Sequence, residues 1–465
     1  MQINHLLLKL DGLEPQVQRG GMTALQQQPV SHRSLLKIAV PVMLSNVTEP
    51  MIGVVNTAVV GQLPAAHLIG GVAVASLIFS FLFWGFGFLR LSTSGLSAQA
   101  TGAGDTAEVT AIIWRSLLIA VVIGLGLIAL SPVLKPLSLS LMGGSADVQA
   151  AASTYFSYRI FAAPAALANF AILGWFIGQG RTKIVLITQL MLNVTNMVLS
   201  VLLVSHFHLG IAGVGLAVLL AEYGAVLVGL VFVVLRNREL GQAFTRSRVL
   251  DPAKIKSLIT ANADMMVRTV CLLFAFGWFT SRGARNGDTT VAANSILLHM
   301  FQMAAYLIDG FANAAEALVG QAIGARDKPR YSKAISLSTS WVMGFGALAS
   351  GTIILGGTQF IDLMTVNSGV RDFAKHYLIW AAITPFLGAA CFLYDGVFIG
   401  AMATRDMRNM MLLALAAYML TWFLLEPRFG NHGLWAALSV FFMARGVLFA
   451  ARLPAIKAKA FAQLA

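Results

Sequence analysis

The chain of 465 residues is 58% hydrophobic and only 11% charged, with a mean hydropathy of +0.78. A soluble globular protein carries about 25% charged residues, so this composition excludes one and places the chain in lipid. The formal net charge of +13 invites a nucleic-acid partner, but the basic residues cluster in alternate loops, which makes nucleic-acid binding the weaker reading.

Residues 1–33 are polar and irregular, and their one apolar patch, "HLLLKL", is too short for the core of a signal peptide. Twelve apolar runs of about 20 residues follow, each long enough to cross about 30 Å of hydrocarbon. They begin near Leu35, Leu68, Ile112, Tyr155, Ile184, Ile211, Ile255, Val291, Ile335, His376, Met410 and Gly433. A spanning helix satisfies its own backbone, so the expected fold is all-α and polytopic. Two six-helix units are expected at 34–235 and 257–453, with a linker over 236–256 and a tail over 454–465. The basic stretches "RNRELGQAFTRSRVLDPAKIK", "RDKPRYSK" and "TRDMR" fall in alternate loops. The bias toward positive cytoplasmic loops then puts both termini in the cytoplasm.

The first run holds "MIGVVNTAVVGQL", with Asn56 and Thr57 inside an apolar helix and Glu49 and Pro50 just before it. Helix two ends in "LSAQATGAGD" and helix eight in "LVGQAIGARD"; helix four ends in "FIGQGRTK" and helix ten in "FIGAMATR". Gln99 and Gln321 are 321 − 99 = 222 positions apart, and Gly178 and Gly400 share the same offset. A constant offset across two polar junctions marks a duplication with both halves in one orientation. Proteins built this way usually work at the interface between the halves.

Ionisable residues at depth are costly and are functional candidates by default. They are Glu49, Arg159 and Glu222 in the first half, and Asp264, Arg268, Asp309, Glu316, Asp395 and Arg445 in the second. Arg159 and Arg445 are expected to snorkel or to pair with carboxylates. Asp264 and Arg268 stand four apart, so they can neutralise each other on one helix face, a structural pairing at least as well supported as a functional role. Asp309, Glu316 and Asp395 either line the second half of a cavity or only join helices. In helix five, "LNVTNMVLS" puts Asn193, Asn196 and Ser200 on one face. Tyr155 and Asn169 of helix four are placed to meet that face. Together with Asn56 these side chains make a polar pocket, unless the asparagines merely glue helices together. Cys271 and Cys391 lie far apart in sequence and suggest no disulfide. No P-loop, His-Glu-x-x-His or Cys-x-x-Cys motif is present, so no enzyme, cofactor or metal is expected and the energy source is an ion gradient. Abundant aromatics and methionines suit flat, lipophilic substrates.

The stretches "PVMLSNVTEPMIGVVNTAVVGQL", "GLSAQATGAGD" and "IDGFANAAEALVGQAIGARD" resemble the multidrug and toxic compound extrusion (MATE) family, the last its DinF-like branch. The resemblance implies two six-helix bundles around a central cavity. It also implies export of small-molecule drugs or toxic organic compounds against inward proton or sodium flow. In relatives a first-helix aspartate binds the coupling cation with polar residues of helices four to six; that position here is Asn56. Asn196 matches the family's helix-five asparagine, and Tyr155 and Asn169 its helix-four partners. Ser200 stands where some relatives carry another acid, and Val218 where some carry a threonine. Both changes remove oxygen ligands, which favours protons over sodium. In relatives a proline at the place of Pro41, 56 − 41 = 15 residues before Asn56, lets the first helix bend. Asn56 leaves two alternatives: coupling through another residue, or an engineered replacement of an aspartate. The retention of Pro41, Glu49, Thr57 and the asparagines around the site favours the replacement. The expected function is a proton-coupled multidrug exporter, acting as a monomer in a bacterial inner membrane. A flippase for lipid-linked precursors is the alternative, but an anionic headgroup needs several cavity-facing cations.

Overall fold

A computed structural model describes residues 29–61, 66–143 and 145–462, without the side chains of Glu49, Pro50, Ile52, Val54, Thr57 and Ala66. Twelve membrane-length rods succeed one another: α1 His32–Gly61, α2 in two pieces (Ala66–Gly85 and Phe88–Ala103), α3 Thr106–Ala129 and α4 (Ala146–Arg159 continued by Ala163–Gly178). Then come α5 Thr182–Val201, α6 Gly210–Glu239, α7 Pro252–Arg285, α8 Asp288–Gly324, α9 Lys328–Met364, α10 Ser368–Gly400, α11 Thr404–Phe429 and α12 Asn431–Phe461. Eleven of these are long and apolar enough to cross a membrane. The twelfth, α1, has 30 residues, about 45 Å at 1.5 Å per residue.

Several rods start a turn or more before the apolar run itself, α10 at Ser368 rather than near His376, because polar end turns continue the helix past the hydrocarbon. Side-chain caps fix some of these starts, since the first helical N–H groups have no partner of their own. The Glu108 N–H donates to Asp105 at 2.9 Å and the Arg330 N–H donates to Asp327 at 2.9 Å. Inside the expected linker, α6 runs on to Glu239 and α7 starts at Pro252; at the other end, the tail expected from 454 is the end of α12.

The duplication is visible at atomic scale. Asp105 and Asp327 cap equivalent helices, and the left-handed residues just before and beyond also recur, Gly104 with Arg326 and Gly180 with Met402. In each lobe the second helix crosses the fourth so closely that a Cβ on the glycine would overlap a carbonyl. Gly174 and Gly178 meet the carbonyls of Arg90 and Ser94; Gly396 and Gly400 meet those of Ala312 and Glu316. Each pair is shifted by 222.

The lobes join along a pseudo-two-fold axis between α2 and α8. Gly102 packs on the Gln321 carbonyl and Gly324 on the Gln99 carbonyl. The side-chain amide of Gln99 donates to the Gly400 carbonyl at 2.9 Å, and that of Gln321 to the Gly178 carbonyl at 3.0 Å. This end of the molecule, where the linker between the lobes also lies, is closed. The first half of α1 belongs to a cluster shared with the second lobe: Leu35, Ile38, Ala39 and Met43 pack with Ile308, Phe311 and Ala315 of α8.

Candidate functional site

Helix α5 presents Asn193, Asn196 and Ser200 inward, all buried, as their spacing predicts. It runs parallel to α1. The Thr182 hydroxyl donates to the Lys37 carbonyl at 3.3 Å and Asn193 Nδ2 donates to Thr48 Oγ1 at 2.5 Å, both across 145 positions. Carried on, that register gives Asn56 the height of Val201 (56 + 145 = 201), the residue after Ser200. Asn56 is 7% exposed. The Oδ1 atoms of Asn56 and Asn196 and the Ser200 hydroxyl are buried without a hydrogen-bond partner among the described residues. Polar oxygens left this way at membrane depth are expensive, which makes each a candidate acceptor for a donor or a cation.

Across the lobe, Asn169 Nδ2 of α4 donates to Glu222 Oε2 of α6 at 2.6 Å and to its carbonyl at 3.2 Å. The Asn169 Oδ1 has no partner among the described residues. Asn169 and Tyr155 therefore show bonds within α4 and to α6, and none to α5. Arg159 donates to the Tyr155 hydroxyl at 2.9 Å and lies 4.8 Å over the Phe79 ring, with the Glu222 carboxylate within its electrostatic reach. Pro41 stands inside α1, and Val218 of α6 is buried and apolar. The side chains of Glu49 and Thr57 lie outside the described residues.

In the second lobe the acids form separate groups. Asp309 accepts from Asn313 Nδ2 at 3.0 Å, and Asn313 Oδ1 accepts from Arg90 of the first lobe at 2.7 Å. Glu316 is buried beside them, its Oε1 unpartnered among the described residues. Asp395 is bound by two guanidinium groups, Arg268 and Arg445, each at 2.5 Å. Arg445 is fully buried and lies among the rings of Phe392, Phe441 and Phe442. The expected Asp264–Arg268 pair is corrected: Asp264 pairs with Arg408 of α11 at 2.6 Å and accepts from Thr404 at 3.0 Å. The buried Asp264 carboxylate is met by two groups from α11, Arg408 and Thr404, whereas an i, i+4 pair on one helix gains only a few tenths of a kcal/mol.

Arg90, a cation that reaches from the first lobe to Asn313 of the second, was missed by the sequence reading. Its signal was present, since it stands alone among apolar and small residues in "FGFLRLSTSG".

The MatE family model matches residues 41–202 and 265–424, one segment in each lobe. The chain belongs to the MatE family. It is 37% identical over 423 residues to DNA damage-inducible protein F of Escherichia coli, covering 90% of this chain and 92% of that one. A probable multidrug resistance protein NorM of Bradyrhizobium diazoefficiens is 27% identical over 379 residues, 78% of each chain. Among solved structures, a MATE crystal structure in the bent conformation superposes with a TM-score of 0.84, covering 96% of this chain and all of the other at 16% identity. The chain is thus a multi-pass membrane transporter of the MATE type, with the two-bundle, twelve-helix fold.

Proposed function

We propose that this chain exports lipophilic, mostly cationic organic compounds in exchange for protons, as a monomer in a bacterial inner membrane with both termini cytoplasmic. The observation that carries this reading is the buried polar face of the first lobe, Asn56, Asn196 and Ser200, with the Asn169–Glu222 pair on facing helices. An amide cannot gain or lose a proton, and Glu222 is an acid in that lobe that can. The name of the NorM relative supports a drug-like substrate. Sodium remains the second reading, because four buried oxygens, on Asn56, Asn169, Asn196 and Ser200, lack donors and hard cations take oxygen ligands. A flippase for anionic lipid precursors is less well supported: Arg268 and Arg445 are engaged with Asp395, and Arg90 with Asn313.

The test is transport of ethidium by purified protein in lipid vesicles under imposed gradients. A proton gradient is expected to drive dye movement and a sodium gradient of equal size is not. Movement with sodium alone moves the assignment to the second reading, and none with either removes the drug-exporter reading.

A further inference from the structure

Pro41 lies within α1, and its ring nitrogen has no hydrogen to give the carbonyl of Lys37, four residues back. A backbone carbonyl that loses its helical donor needs another, from water or from the protein. The hydroxyl of Thr182, the first residue of α5, donates to that same carbonyl at 3.3 Å. Thr182 is buried and Lys37 is exposed, so the bond is half-buried.

The repeat supplies a comparison within the molecule. Thr404 is the counterpart of Thr182 (404 − 182 = 222), and the counterpart of Pro41 is Ala263 (263 − 41 = 222). Ala263 keeps its N–H and stands in the unbroken α7, which needs no outside donor at the equivalent turn. There Thr404 bonds a side chain instead, Asp264 Oδ2 at 3.0 Å. The threonine reaches for a backbone carbonyl only in the lobe where a proline has freed one.

We propose that Thr182 is a positioning residue for transport: its hydroxyl takes the carbonyl that Pro41 frees and so fixes the course of α1 beside α5. The consequence reaches both lobes. One face of α1 is pinned to α5 at Lys37 and at Thr48, 48 − 37 = 11 residues or three turns apart. Its other face is held by α8, where Asn46 Nδ2 donates to the Tyr306 carbonyl at 3.0 Å and Gly310 packs against Ala39 and Met43. Loosening the Thr182 bond therefore changes how α1, and Asn56 on it, sits between the two lobes.

Hydrogen–deuterium exchange of α1 peptides in the full-length protein tests the bond, and dye efflux in the same variants tests its use. Thr182→Val, which keeps the shape and removes the donor, is expected to speed exchange over residues 38–48 roughly three- to tenfold, the effect of losing one net hydrogen bond. Thr182→Ser should exchange like the native chain. In a Pro41→Ala background the carbonyl regains its own helical donor, so adding Thr182→Val should change exchange less than about twofold. Efflux should fall in Thr182→Val and return in Thr182→Ser. Native exchange in Thr182→Val, or equal acceleration in both backgrounds, overturns the proposal, as does altered exchange with unchanged efflux. If Thr182→Val fails to fold, recovery of folding in the Pro41→Ala double variant supports the bond and its absence sinks it. The efflux arm rests on the transport reading above; loss of efflux from every variant, native included, bears on that reading alone, because exchange is measured without substrate.

Discussion

Asn56 has nearly the shape of a protonated aspartate but carries no charge at any pH. With Glu222 bound to Asn169, the described residues of the first lobe place four neutral amides, Asn56, Asn169, Asn193 and Asn196, in its buried interior with the acid Glu222. Two substitutions separate their roles. Glu222→Gln should lower proton-driven dye transport at least about tenfold, with little loss of stability because the amide keeps a hydrogen bond to Asn169. Asn56→Asp should raise transport and make it depend more steeply on pH. If Glu222→Gln transports normally and Asn56→Asp changes nothing, the coupling group lies outside this lobe. The asparagines and Glu222 were legible because a polar side chain in an apolar run stands out at any depth. What each one bonds was not legible: Asn169 goes to Glu222 and Asn193 to Thr48, contacts set by how four helices lean together.

At the scale of the element, helix spacing proved a poor guide to ion pairing. Asp264 and Arg268 share a face of α7, yet each finds its partner on another helix. Asp395 then joins α7, α10 and α12 through one carboxylate and two guanidinium groups, almost wholly out of solvent. Removing one member of a buried ionic cluster typically costs 3–5 kcal/mol, because the remaining charge keeps its desolvation penalty. Asp395→Asn should therefore lower the thermal unfolding midpoint in detergent, and should do so more than Asp406→Asn, whose Arg452 partner is half exposed. Equal midpoints for the two variants would mean that the Asp395 cluster contributes no more than a surface pair. The twelve helices themselves were legible from the apolar runs. Some of their starts were not, α9 and α10 among them, because the polar turns beyond the hydrocarbon carry no apolar signal.

Over the whole molecule, the duplication is the feature that sequence revealed most fully and structure put to use. The "QA" and "FIG" junctions, 222 residues apart, turn out to be the surfaces by which the lobes meet. Alternating access requires those surfaces to part as one lobe moves against the other. Gly102 and Gly324 are the tightest points, each backbone lying on the glutamine carbonyl of the opposite lobe. A side chain there cannot be absorbed by a flexible neighbour, since the opposing atoms are backbone. Overpacking of this kind costs about 1–3 kcal/mol, which shifts a two-state population roughly five- to hundredfold. Gly102→Val and Gly324→Val should therefore favour the state open at the linker end, and by similar amounts because the two sites are related by the repeat. The measurement is alkylation of Ala98→Cys, buried where Gly320 faces it, in a chain with Cys271 and Cys391 replaced by serine. A water-soluble maleimide should label that cysteine faster with either valine present, and transport should fall because the closed state is harder to reach. Unchanged labelling in a folded Gly102→Val or Gly324→Val protein would show that these junctions stay joined throughout the cycle, and the moving boundary would have to lie elsewhere.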